Sequence, residues 1–326
     1  MFFLSWYATF SFERYSWHET ASDDSVLSPK REASRRFTLV KEGDDMKIGI
    51  IGSGRVGFSM GKYLCDHGEC VVGYYDRHPE RANEAAQFTS TDNFETIEDL
   101  VAASDTLFIT TTDGEIANVW DRIRQMSIEN KIICHFSGSL SSDQFQGIGD
   151  TKAHGVSVHP MLAFSDKYTS YQQLKKAFFT VEGDATGVSV VSELLRKMGN
   201  SVQCITRENK ALYHAAAATL SNQVVAVLSY GYEMLKDCGF DEKEAREASQ
   251  TLIRGNIENV INQGCVQALT GPVERGDVET VKKHLQVIDP AMRDIYGMLA
   301  QRQLQLARQK NPQKDYAALE QLLKES

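Results

Sequence analysis

The chain has 326 residues, enough for two domains and a sizeable core, with a formal net charge of −9 and a pI near 5.5. No strongly basic half offsets that acidity, which argues against nucleic acid or an anionic membrane as the main partner. No stretch reads as the roughly 20 apolar residues of a membrane-spanning helix. Cys65, Cys70, Cys134, Cys204, Cys238 and Cys265 form no C-x-x-C pair, so they read as reduced, mostly buried thiols of a cytoplasmic protein, with neither a metal site nor a disulfide framework.

Residues 1–45 read as lying outside the fold. Met1–Phe12 is aromatic-rich, but Glu13 and Arg14 interrupt it and no small-residue cleavage site follows, which argues against a secretory signal. Glu13, Glu19, Asp23, Asp24 and Glu32 count against a transit peptide, despite Arg31, Arg35 and Arg36. The expectation is a disordered extension or an over-long start, with the globular protein beginning near Met46.

Residues 47–57 run Lys-Ile-Gly-Ile-Ile-Gly-Ser-Gly-Arg-Val-Gly, a β-branched strand ending in a G-x-G-x-x-G turn that opens into a helical pattern. Gly52 allows the tight turn, Gly54 lets backbone approach a pyrophosphate, and Gly57 lets the helix pack closely on the strand. Ser53, Arg55 and Val56 complete the phosphate-facing turn and helix N-terminus, whose unpaired N–H groups favour an anion. Val56, Met60, Tyr63 and Leu64 mark one face of the helix, and a second strand, Val71–Tyr75, ends at Asp76. Asp76 stands where the ribose of NAD is read, whereas Arg77 beside it suits the 2′-phosphate of NADP. NAD(P) is therefore the expected cofactor.

Strands and helices then alternate, as in a parallel sheet with crossover helices. His78-Pro79-Glu80 starts one helix, and Thr96-Ile97-Glu98-Asp99 reads as a capping box for another. Thr106–Thr110 is an apolar strand followed by Thr111, a further cofactor candidate, and by Asp113 as the N-cap of a helix over Glu115–Gln125. Ile132–Phe136 ends in Ser137-Gly138-Ser139, and Gly155–Val158 ends in His159-Pro160-Met161. Ligands in such sheets bind beyond the carboxyl ends of the strands, so these loops share a rim with the glycine turn. Ala177–Val181 and Ser201–Ile205 read as further strands around a helix over Gly187–Met198.

After Thr206 only long helical patterns remain, over about Glu208–Cys238, Asp241–Asn262, Asp277–Val287 and Pro290–Gln309. The expected organisation is a Rossmann-type, doubly wound, mainly parallel α/β domain over 46–205 and an all-α domain over 206–326. Lys210 and His214 are four residues apart and share a helix face, with Asn222 two further turns along on nearly the same side. Hydride transfer also needs a proton donor or acceptor at the heteroatom, and Lys or His can serve. His159 at a strand end could orient a carboxylate or a nicotinamide amide. Arg275, in a loop that Asp277 could close by capping the next helix, could clamp an acidic substrate.

Together G-S-G-R-V-G, H-F-S-G-S, S-V-H-P-M, the helix N-K-A-L-Y-H-A-A-A-A-T-L-S-N and the loop L-T-G-P-V-E-R-G-D resemble a widespread family over about residues 46–310. Its members pair a Rossmann-like NADP-oxidoreductase domain with a helical C-terminal domain of unknown function. More distantly the plan is similar to pyrroline-carboxylate reductase, prephenate dehydrogenase, ketopantoate reductase, and the 6-phosphogluconate and hydroxyisobutyrate dehydrogenases. In the last two, a rim Ser-Gly segment and a Lys on the first interdomain helix bracket the substrate, with Asn four residues after that Lys. Ser137-Gly138 and Lys210 match; the double-glycine rim is Ser-Gly-Ser here, and His214 replaces the Asn. The resemblance carries the site and not the substrate.

It implies NADP, where Asp76 implies NAD. The expected function is an NAD(P)-dependent oxidoreductase acting on a small, carboxylate-bearing carbonyl, hydroxyl or imine compound, with Lys210, His214, Ser137 and Asn222 as catalytic candidates. The alternative is a non-catalytic dinucleotide-binding redox sensor or regulator. Apolar positions on more than one helical face, including Val224, Val225, Val227, Leu228, Leu299, Leu304 and Leu306, predict a homodimer through the helical domain.

Overall fold

In the computed structural model, which describes residues 46–325, the chain divides into two compact units at Arg207/Glu208. The first is an eight-stranded sheet: β1 Ile48–Ile51, β2 Val71–Tyr75, β3 Asp92–Asn93, β4 Thr106–Ile109, β5 Ile132–His135, β6 His154–Pro160, β7 Phe178–Gly183 and β8 Ser201–Cys204. The order is 3-2-1-4-5-6-7-8, with every neighbouring pair parallel except β6 and β7, which run antiparallel. The sheet is therefore mainly parallel and doubly wound.

Its longer helices are α1 Arg55–Asp66, α2 Pro79–Thr89, α3 Ile97–Ala103, α4 Asp113–Ile123 and α5 Ala185–Lys197. Apolar side chains cover both faces of β1, β4 and β5, as buried parallel strands require. On one face Ile48, Ile50 and Phe108 pack with Phe58 and Leu64 of α1, Ala82 and Ala86 of α2 and Leu194 of α5. On the other, Ile51, Leu107 and Ile133 pack with Leu100 of α3 and Trp120 of α4. Two local readings change. Thr96 does cap α3, its Oγ1 accepting from the Asp99 N–H at 3.2 Å, but the Asp99 carboxylate accepts the Thr96 hydroxyl instead of closing a capping box. Thr112, and not Asp113, is the N-cap of α4, so the Asp113 carboxylate is left for another task.

The second unit has six longer helices, α6 Lys210–Leu220, α7 Asn222–Asp237, α8 Glu242–Ala268, α9 Val278–Val287, α10 Pro290–Lys310 and α11 Ala317–Glu325. Its core forms around α9, α10 and α11, with Val281, Leu285, Leu304 and Leu319 buried; Leu304 thus belongs to this core and not to an outward face. The single helix expected over Glu208–Cys238 is broken at Ser221 (φ −119°, ψ −75°), whose hydroxyl turns back to the Ala217 carbonyl at 2.7 Å. The helix expected to stop near Asn262 runs on to Ala268 across a kink at Gly264, whose φ of +78° suits glycine.

Two composition-based expectations are corrected. The 28 residues Lys210–Asp237 are long and apolar enough for a membrane span by length and composition, because from Ala211 to Tyr232 their polar residues are uncharged Ser, Thr, Asn, Gln, Tyr and His. Of the six cysteines only Cys134 is fully buried; Cys204, Cys238 and Cys265 are exposed, lying on the last strand and on helices with little burial. The expectation for residues 1–45 lies outside the described residues.

Candidate functional site

The glycine turn is built as its residue types require. Gly52 has a φ of +101°, a conformation that costs other residues. A Cβ on Gly57 would stand 2.1 Å from the Gly52 carbonyl oxygen and 2.4 Å from Thr110 Oγ1, so α1 sits against β1 only without a side chain there. A Cβ on Gly54 would meet nothing within 4 Å, so this is the open side of the turn. Arg55 and Val56 occupy the first turn of α1, whose N-terminus has no side-chain cap, leaving its N–H groups for an anion. Ser53 is only 5 % exposed, and neither its Oγ nor Thr111 Oγ1 has a hydrogen-bond partner among the described residues.

Beside the turn lies a cleft of about 290 Å³ lined by Gly52, Gly54, Asp76, Arg77, Arg81 and Thr111, among others. The Asp76 carboxylate in it is already engaged. Its Oδ2 accepts the Ser53 N–H at 2.7 Å and its Oδ1 accepts the His78 N–H at 2.9 Å, which fastens the glycine turn to the end of β2. Arg77 is largely exposed, with Glu115 at 3.8 Å. Arg122, in contrast, is occupied by a bidentate pair with Glu98 and by the Tyr75 hydroxyl.

Strand register assembles the rest of the rim. Ile51 pairs with Ile109, Ile109 with His135, and His135 with Ser157, all parallel. The glycine turn, Thr111, Ser137 and His159 therefore stand at the same edge of the sheet, as their strand-end positions imply. His159, opposite Thr180 of β7, is half-buried. Ser137 is a hub: its hydroxyl donates to Asp113 Oδ2 at 2.9 Å and accepts the N–H groups of Ser139 and Leu140 at 3.2 and 3.0 Å. The Ser139 hydroxyl also donates to Asp113, at 3.1 Å. Asp113 thus holds the loop after β5 against the start of α4. Beneath it, the buried His135 directs Nε2 to the Ser141 carbonyl at 3.0 Å and Nδ1 to the Ser137 N–H at 3.3 Å. These contacts set the neutral tautomer with the proton on Nε2.

In the helical unit, Lys210 is the first residue of α6 and is 1 % exposed, with its Nζ 5.8 Å from the Tyr213 ring centre. Tyr213, His214, Ala217 and Ala218 follow it at helical spacing as half-buried residues, while Ala211, Leu212, Ala215 and Ala216 are exposed. Lys210 and His214 do share the less exposed face. Asn222 does not continue it: the break at Ser221 resets the helical phase, and Asn222 begins α7 in an exposed position. Arg275 is exposed at the end of the single turn Pro272–Arg275. Asp277 caps α9 through the Thr280 N–H at 3.0 Å, and hydrogen bonds from Thr280 hold its carboxyl below the usual range.

Sequence reasoning gave Asp113 the wrong task and missed Arg81 and Glu115 in the cleft. Arg81 had a usable signal, since it lies in the first turn of the helix that leaves β2, next to the ribose position. The partnership of Asp113 with Ser137 had none, because it joins loops 24 residues apart.

An open glycine turn, an uncapped helix N-terminus and two hydroxyls without partners fit a dinucleotide pyrophosphate; Arg77 and Arg81 fit a further phosphate. The fold and this turn define a dinucleotide-binding domain of the Rossmann kind. Residues 47–135 match the family model described as NADP oxidoreductase, coenzyme F420-dependent, and residues 177–303 match a domain of unknown function, DUF2520. The chain belongs with the proteins that join these two domains, the family its motifs resemble. No protein of curated function matches it.

Among solved structures, protein TM1727 from Thermotoga maritima is 23% identical, with a TM-score of 0.63 over 81% of this chain and 99% of that one. A reductive aminase from Aspergillus terreus, in complex with NADPH and ethyl-5-oxohexanoate, is 14% identical, with a TM-score of 0.56 over 86% of this chain and 100% of that one. A pyrroline-5-carboxylate reductase from Coxiella burnetii is 10% identical, with a TM-score of 0.55 over 82% and 99%. At these identities the likeness is one of fold.

Proposed function

We propose that the chain is an NADPH-preferring reductase of a small carbonyl or imine compound bearing a carboxylate, with Lys210 and His214 as the proton-transferring pair. The observation that carries the reading is the cleft beside the glycine turn. Both Asp76 oxygens there take backbone N–H groups, while Arg77 and Arg81 line the same space. Two guanidinium groups suit a 2′-phosphate, whereas NAD offers them nothing of equal charge.

When bound, the cofactor supplies the hydride. The residues of this chain supply the rest: the α1 N-terminus and the hydroxyls of Ser53 and Thr111 hold phosphate, and the Ser137–Asp113 hub fixes the shape of the rim. Lys210 Nζ or a ring nitrogen of His214 delivers the proton to the oxygen or nitrogen of the substrate. Ser137, with its hydroxyl committed to three partners, serves as a positioning residue, and His159 and Arg275 are the candidates for the substrate carboxylate. Support comes from the NADP-oxidoreductase family match and from the NADPH-bound reductive aminase of like fold.

The test is calorimetric titration with NADPH and NADH, followed by turnover of a panel of keto acids and cyclic imine acids with each. Tighter binding of NADPH and turnover of at least one class are expected. Absence of binding of either dinucleotide at millimolar concentration would overturn the reading.

A further inference from the structure

The guanidinium groups of Arg77, Arg81 and Arg122 all line the cleft beside the glycine turn, but their charges are not equally available. Arg122 is committed: its Nη2 donates to both Glu98 oxygens at 2.9 Å, and its Nη1 donates to the Tyr75 hydroxyl at 3.3 Å. Arg81 makes no ion pair among the described residues. Arg77 lies between these extremes, 70 % exposed, with its Nη1 3.8 Å from Glu115 Oε1.

Two carboxylates line the same cleft. Both oxygens of Asp76 accept backbone N–H groups. Glu115 is held more loosely: Asn118, one turn further along α4, donates Nδ2 to its Oε2 at 3.4 Å, which leaves Oε1 for Arg77. Glu115 stands in the first turn of α4, after β4, and Arg77 lies just beyond the end of β2. Because β1 runs between those two strands, the pair reaches across the glycine turn. An ion pair this exposed adds little to folding. Its consequence falls on a charged ligand that enters the cleft.

We infer that Glu115 sets how strongly the site prefers NADPH over NADH, by competing with the 2′-phosphate for Arg77; the inference rests on the cofactor reading proposed above. A 2′-phosphate that takes the Arg77 guanidinium must first release it from Glu115. NADH has no phosphate at that position and leaves the pair intact. Selectivity is a difference between two affinities, so a carboxylate that taxes one ligand alone lowers it. Arg122, fixed by Glu98, takes no part in the contest, and Arg81 binds without one. Breaking an exposed pair costs about 0.2–1 kcal/mol, so the effect on NADPH affinity is roughly two- to fivefold.

The experiment is calorimetric titration of the full chain at low salt with NADPH, NADH and 2′,5′-ADP, for wild type, Glu115→Gln, Arg77→Ala and the double variant. Glu115→Gln should tighten NADPH and 2′,5′-ADP by roughly two- to fivefold and leave NADH unchanged. The gain should shrink in high salt and disappear in the Arg77→Ala background, with far-ultraviolet circular dichroism unaltered throughout. No gain for NADPH, an equal gain for NADH, or a gain of the same size without Arg77 would each overturn the inference while a wild-type preference for NADPH still stood. Conversely, a wild type that bound both dinucleotides equally, but gained NADPH affinity through Arg77 on Glu115→Gln, would uphold the inference and remove the preference proposed for the native chain. Binding of neither dinucleotide would overturn both.

Discussion

The backbone N–H of Ser53 donates to the Asp76 carboxylate at 2.7 Å, and this bond fixes the phosphate-facing turn to the end of the neighbouring strand. Removing the acceptor leaves that N–H unpaired, at a cost of about 1–3 kcal/mol. Asp76→Ala should therefore weaken NADH and NADPH alike. A loss confined to NADH would show the carboxylate to be a ribose ligand first. Arg77→Ala and Arg81→Ala should each weaken NADPH by roughly 10- to 100-fold, the worth of a charge-assisted hydrogen bond, and leave NADH nearly unchanged. Calorimetric titration of the three variants decides.

Gly54 and Gly57 separate binding from folding. A side chain on Gly54 has room in the protein but projects where backbone must meet the pyrophosphate, so Gly54→Val should fold normally and lose dinucleotide affinity. A side chain on Gly57 collides with the Gly52 carbonyl and Thr110. Overpacking of this kind costs about 1–3 kcal/mol, so Gly57→Ala should lower Tm whether or not the cofactor is present. Thermal melts with and without NADPH distinguish the two.

Glu320 gives the helical unit a pH dependence. Hydrogen bonds from Lys324 and Arg308, reinforced by their charges, hold its carboxyl at about 2. A folded value below the unfolded one, about 4.3 for Glu, means that stability is present above the unfolded value and lost as pH falls toward 2. The group is only half-buried and its partners Arg308 and Lys324 are exposed, so the contribution is small and sensitive to salt. The Tm advantage of wild type over Glu320→Gln should hold at neutral pH, narrow from about pH 4.5 downward, and shrink in high salt. An advantage independent of pH would mean that the ion pairs contribute nothing.

What could be read from residues alone followed short-range rules. The glycine turn, Pro79 at the start of α2 and the Asp277 cap each depend on a few adjacent residues whose shapes allow one backbone solution. Thr111, Ser137 and His159 could be placed on one edge because parallel strands share their carboxyl ends. Contacts made by folding were not legible. Asp113 looks like an N-cap until the loop after β5 arrives to claim its carboxylate, and the bond from the Ser53 N–H to Asp76 joins residues 23 apart. The break at Ser221 is subtler: nothing between Ala211 and Tyr230 is a strong helix breaker, so an unbroken helix, with Asn222 in phase with Lys210, was the natural reading.

That break concentrates the catalytic expectation on Lys210 and His214. They share a face of α6, and Lys210 is nearly inaccessible there. Lys210→Met and His214→Leu should each lower kcat by roughly a hundredfold or more if they transfer the proton, with dinucleotide affinity little changed. Asn222→Ala, beyond the break and exposed, should have a far smaller effect. A structural role for Lys210 would also depress turnover, so the pH profile is the deciding readout. Loss of the proton-transferring residue should remove one limb of the dependence of kcat/KM on pH, whereas loosened packing would scale the whole profile down. Should both Lys210→Met and His214→Leu fold normally and keep wild-type turnover, the proton comes from elsewhere. Should no substrate be turned over while NADPH binds tightly, the dinucleotide-binding sensor becomes the better account.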